Sequence, residues 1–71
     1  MSTVTVNPEI LWGTPVFTGT RVPVEALLNF LEAGENVDGF LAQFPSVTRE
    51  MVVAYLDESK AALIARAQST A

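Results

Sequence analysis

The stretch from Gly13 to Val24, GTPVFTGTRVPV, gathers the residues best suited to holding a ligand: two Gly-Thr pairs, two prolines and an arginine. Glycine loops of the form G-x-x-x-x-G-K-S/T cradle phosphate with backbone amides, and their lysine completes the site. Here five residues separate Gly13 from Gly19, and Thr20-Arg21 follows where Lys-Ser/Thr would stand. Pro15 and Pro23 also lack the amide hydrogens that a phosphate would use. The spacing argues against nucleotide binding and for two glycine-permitted turns that flank a strand and feed a helix. Arg21 is the only charge between Glu9 and Glu25. Its flat guanidinium suits two roles: satisfying turn carbonyls or a carboxylate from a half-buried position, or contacting a phosphate or partner beside a helix start.

Catalytic chemistry finds little support. The chain has no histidine and no cysteine, so the usual nucleophile–base pairs and thiolate or imidazole metal sites are missing. Asp57 and Glu58 are adjacent, and neighbours on a helix point about 100° apart; both fall on the expected solvent face. A non-enzymatic protein with no cofactor and no metal is expected. For DNA contact the candidates are Arg21, Arg49 at the start of the last helix and Lys60 on its outer side, since recognition helices read bases with their N-terminal residues. Glu50 and Asp57 share that region and repel phosphates. Four basic and eight acidic side chains give a net charge of −4, which disfavours broad nucleic-acid binding but leaves room for local contact from two symmetry-related faces.

The elements that must position these residues follow from patterning. Thr3–Val6 alternates β-branched residues as a short strand, ended by Asn7-Pro8, and PVFTG (15–19) offers a second. The two pair as a hairpin or across a dimer. Pro23 suits a first helical position. After it Val24, Leu27, Leu28 and Leu31 make an i, i+3, i+4, i+7 stripe, with Glu25, Asn29 and Glu32 opposite and Gly34 as a left-handed cap. Asn36 caps a short second helix with Phe40, Leu41 and Phe44 inward, stopped by Pro45. Thr48 caps the third, Arg49 to about Ala67, with Val47 and Val52 placed as a hydrophobic staple. Its inner stripe is Val52, Tyr55, Leu56, Ser59 and Leu63, and Ser69–Ala71 should fray. Val53 and Ile64 fall on the face that periodicity assigns to water, and serve either a partner groove or a dimer. Arg66 lies near the helix end. Trp12 lies outside every stripe, as does Phe17; Trp12 is either a lid on the core or a dimer contact.

At 71 residues the chain reads as one domain, with a strand and loop lead-in over 1–20 and three helices over 23–67. So small a core needs a staple. Without cysteine or histidine, and with 49% of residues hydrophobic, oligomerisation is the remaining one, and a homodimer is expected. No apolar run approaches the roughly 20 residues that span a bilayer, and MSTVTVNPEI has neither the basic start nor the apolar core of a signal peptide. A soluble, cytoplasmic protein with no membrane partner is expected.

The motif GTPVFTGTRVPVEALLNFLEAG, followed by FLAQFPSVTREMVVAYL, resembles the domain of unknown function 433 family. That family shows G-x-P-x-x-x-G-T-R-x-P-V, a leucine-rich helix ending Ala-Gly, a short helix ending in aromatic-Pro, then Thr and a long helix, here from Gly13 to about Leu56. The resemblance implies a helix-turn-helix-like three-helix domain, mainly α with a small N-terminal β element. It also implies a VapB-type antitoxin of a type II toxin–antitoxin pair, which sequesters a PIN-like ribonuclease and represses its own operon DNA as a dimer. The alternatives are a protein-interaction module or a small transcriptional regulator with no toxin. The resemblance assigns no catalytic residue. On this reading Arg21, Arg49 and Lys60 face DNA, and Trp12, Val53, Ile64 and Arg66 face the protein partner, with Arg66 reaching toward an acidic metal-binding nuclease site.

Overall fold

The computed structural model describes residues 3–69. Strand β1 (Val4–Thr5) is followed by a single turn at Leu11–Gly13, strand β2 (Val16–Phe17), and helices α1 (Val24–Glu32), α2 (Val37–Gln43) and α3 (Arg49–Ser69). The chain is mainly α with a small N-terminal β element. α3 continues through Ser69; the remaining two residues of the expected frayed end lie outside the described residues.

β1 and β2 pair antiparallel within the chain, Val4 opposite Phe17 and Thr5 opposite Val16, so these strands do not wait for a second copy. The other edge of β2 is taken by the segment leading into α1: Phe17 N–H donates to the Val22 carbonyl at 3.0 Å, and Val24 N–H to that of Pro15 at 3.1 Å. Between them Thr20 N–H closes a turn onto the Phe17 carbonyl at 2.9 Å. Gly19, at φ +84°, occupies the third position of that turn, where a left-handed backbone favours glycine. The bridge between Val16 and Pro23 corrects the placement of Pro23. It is held extended (φ −63°, ψ 138°) as the N-cap, and α1 begins one residue later.

The helix ends follow local chemistry. α1 closes in a Schellman motif, with Glu35 N–H donating to the Phe30 carbonyl and Gly34 N–H to that of Leu31, both at 3.0 Å. Asn36 caps α2 by accepting from Gly39 N–H at 2.8 Å. Thr48 caps α3, its hydroxyl accepting from Met51 N–H at 3.2 Å, while Thr48 N–H points to the Met51 sulfur at 3.4 Å. This is the reciprocal geometry of a capping box, with a weak thioether acceptor where Glu usually stands.

The core is Phe17, Leu27, Phe40, Val47 and Val52, with Val16 also buried. Phe17, placed outside any stripe by the sequence, is its centre: its ring lies 5.5 Å from Tyr55, edge-on, and 6.2 Å from Phe40. Phe30 packs on Phe40 and Phe44 at 5.6 and 6.1 Å. That aromatic cluster selects the face of α1 that turns inward. Leu27, Ala26 and Phe30 point to the core, and Leu28 and Leu31, expected inside, stand at the surface. The inner stripe of α3 is likewise shorter than its periodicity. Val52 is buried and Tyr55 and Ser59 half-buried, but Leu56 and Leu63 are exposed. At about 1.5 Å per residue α3 is about 31 Å long, against about 14 Å for α1 and about 10 Å for α2. The two shorter helices cover only its first half, and every residue from Lys60 to Gln68 is exposed.

Candidate interaction surfaces

The most unusual local geometry surrounds Trp12. Asn7 starts it with an Asx turn, its side chain accepting from Glu9 N–H at 2.9 Å while its carbonyl accepts from Ile10 N–H at 2.8 Å. Leu11, Trp12 and Gly13 then follow with φ +49°, +56° and +85°. Left-handed backbone costs a non-glycine residue roughly 1–2 kcal/mol, and here two such residues adopt it in succession. Thr14 holds the turn shut: its N–H and its hydroxyl both donate to the Leu11 carbonyl, at 3.1 and 2.7 Å. The result lifts the Trp12 side chain into solvent, 94% exposed. Trp12 is therefore not a lid on the core.

Arg21 shares a cleft with it. Pro8, Glu9, Leu11, Trp12 and Arg21 line an open concavity of about 350 Å³. The Gly-Thr-Arg run explains how Arg21 reaches that position. Gly19 permits the turn, and Thr20 locks it, donating its hydroxyl to the Phe17 carbonyl at 2.8 Å and accepting from Val22 N–H at 3.1 Å. The next residue is left facing outward. Arg21 is exposed, and among the described residues it has no hydrogen-bond or ion-pair partner. The half-buried role, satisfying turn carbonyls, is thus taken by the Thr20 hydroxyl instead.

The other cations lie on α3. Arg49 is ion-paired with Asp38 of α2, both side chains largely exposed. A pair of this kind is worth under about 1 kcal/mol, so it orients Arg49 without tying it down strongly. Lys60 is eleven residues further on, about 16 Å along the helix and close to the same face; Asp57 lies between them. Arg21 sits apart from both, on the lead-in. Val53 and Ile64 are each 50% exposed, on the outer face where periodicity puts them, and Arg66 is exposed in the last turns. The sequence reading missed the juxtaposition of Trp12 with Arg21, because the eight residues between them fold back through two turns. Positive φ at Leu11 and Trp12 has no signature in residue type. The described residues hold no cluster of His, Cys, Asp and Glu suited to a metal ion, and no described helix is long and apolar enough to cross a membrane.

Comparison with known proteins bears on the same residues. The chain is 45% identical over 49 residues to "Uncharacterized protein y4eO" of Sinorhizobium fredii (strain NBRC 101917 / NGR234), covering 69% of this chain and 22% of that protein. It therefore spans about a fifth of the length of this relative. No solved structure matches the chain significantly. The family model "Protein of unknown function (DUF433)" matches residues 4–57. That match takes in β1, the Trp12 turn, the Gly-Thr-Arg turn, α1, α2 and the first half of α3. On this match over most of its length, the chain belongs to the DUF433 family.

Proposed function

We propose that the protein works by binding rather than catalysis, as the antitoxin of a type II toxin–antitoxin pair that sequesters a PIN-like ribonuclease. The observation that carries the binding half of this reading is the Trp12–Arg21 cleft. Tryptophan and arginine are the side chains most enriched where interfaces concentrate their energy. Here a fully presented tryptophan stands on a turn that is strained and hydrogen-bonded shut, beside an arginine with no partner among the described residues. Backbone strain kept at a surface turn is accounted for when it preorganises a contact. The exposed apolar pair Val53 and Ile64, with Arg66 beyond them, supplies a second contact strip on α3. The identity of the partner rests on the motif resemblance. Cytoplasmic location and repression of operon DNA through Arg21, Arg49 and Lys60 belong to the same proposal.

A broader reading, a protein-interaction module with no toxin, is favoured by one observation: the relative from Sinorhizobium fredii carries the matching segment within a chain several times longer, as a portable binding unit would be. The test that separates the two is direct. The chain is co-expressed with a PIN-like ribonuclease, and RNA cleavage by the purified pair is measured. On the antitoxin reading cleavage is suppressed, and Trp12→Ala weakens the complex by about tenfold or more, as does Ile64→Glu. A ribonuclease that is neither bound nor inhibited leaves the module reading in place.

A further inference from the structure

We infer that the apolar groove between α1 and α3 is the seat of a second copy of this chain, whose α3 lies in it antiparallel. The groove, of about 380 Å³, is lined by Leu28, Tyr55, Leu56, Ser59, Ala62 and Leu63. Leu63 is 64% exposed, Leu28 and Leu56 beside it in the groove are exposed too, and Leu31 is exposed one turn along α1 from Leu28. These are the side chains that periodicity sends inward and the chain by itself does not cover.

Three features select a second copy as the occupant. First, the pattern is self-complementary. Leu56 and Leu63 are seven residues apart, two helical turns, and so lie on one face. A two-fold axis between Ser59 and Lys60 sets Leu56 of each copy against Leu63 of the other. Second, the charges are arranged for reversal. The first half of α3 carries one cation, Arg49, against three anions, Glu50, Asp57 and Glu58, and the second half carries the cations Lys60 and Arg66. Antiparallel pairing brings each acidic half beside a basic half; parallel pairing would bring like beside like, which is unfavourable. Third, the half of α3 beyond Ser59 is exposed at every residue through Gln68, and a helical segment of that length is marginal in water without packing. A partner helix supplies that packing. Leu28 and Leu31 of α1 widen the contact toward the roughly 800 Å² per partner usual for a specific interface.

The arrangement leaves the protein-contact surfaces of the proposed function open, while Lys60, beside the two-fold axis, is drawn toward the contact between copies. Val53 and Ile64 lie roughly 80° further round α3 from Leu56 and Leu63, and the Trp12 turn belongs to the N-terminal lead-in. The inference takes only the dimeric state from that proposal, and its test needs no ribonuclease, so either can fail alone.

The experiment uses the full chain. Sedimentation equilibrium at micromolar concentration should give a dimer, and Leu63→Glu should raise its dissociation constant at least about tenfold with the far-ultraviolet circular dichroism of a folded helical chain retained. The chain has no cysteine, so single introduced cysteines report orientation cleanly. A mixture of the Leu56→Cys and Leu63→Cys chains, under mild oxidation, should form the mixed disulfide faster than either chain alone forms its own. A monomer at these concentrations overturns the inference. So does a dimer indifferent to Leu63→Glu, or one in which each cysteine chain cross-links to itself faster than to the other, the mark of parallel helices.

Discussion

Trp12 sits where its own backbone would rather not be. Leu11 and Trp12 both occupy left-handed conformations, and almost none of the Trp12 side chain is buried to compensate. Replacing it with glycine removes the steric cost and gives up part of the gain to the looser unfolded chain. Trp12→Gly should therefore raise stability by about 0.5–1 kcal/mol, seen as a rise of several degrees in melting temperature, while it weakens partner binding as Trp12→Ala does. A fall in stability would mean that the indole packs where the exposed geometry gives it nothing to pack on. At this scale the sequence was informative about chemistry and silent about conformation. It singled out Trp12 and Arg21 by type and isolation, and the turn roles of Gly19 and Thr20 follow from residue preference. It could not place Trp12 outside the core, because an aromatic in a lead-in is equally able to cover or to protrude.

The elements show where local rules suffice. Asn36, Thr48 and Gly34 each do what their residue types favour at helix ends. Thr48 satisfies an amide at the start of a long helix that is exposed at every residue from Lys60 to Gln68. Thr48→Ala should cost about 1 kcal/mol, within the roughly 0.5–2 kcal/mol range of N-cap losses, as read from denaturant midpoints with the slope unchanged. Where local rules fell short, tertiary packing chose between equivalent faces. α1 offered Leu27-Leu28-Leu31 or Leu27-Phe30 to the core, and Phe40 and Phe44 drew in Phe30. Pro23 looked like a first helical residue until the bridge to Val16 held it extended. Leu63 kept the right period for burial but lines an open groove with Leu28 of α1 and stays exposed. Each of these depends on what another element provides, which no window of one helix contains.

For the molecule as a whole, charge limits what it can hold. Four cations per chain make eight in a dimer, and if all touched phosphate the log–log salt slope of DNA binding would be about −7, at about −0.9 per contact. Arg49 already faces Asp38, Asp57 shares the outer face with Lys60, and Arg21 lies on a different part of the fold. A measured slope of well under half that value is expected, and one near the full value would show that the acidic side chains do not restrict access. The N-terminal lead-in is also tied to the last helix: Thr3 donates from its hydroxyl to Glu58 at 2.9 Å, so the lead-in and α3 are coupled although more than fifty residues separate them.

The solvent-lifted position of the single tryptophan also sets what a fluorimeter will see. Its indole is already in water when the chain is folded, so emission should stay near the red, hydrated limit and change little as the chain unfolds. Tyr55, edge-on to Phe17 in the core, is the better optical witness of melting. Capture of Trp12 by a partner would shift the emission to the blue and shield it from a soluble quencher. Without any label, one wavelength then follows complex formation while remaining nearly blind to folding.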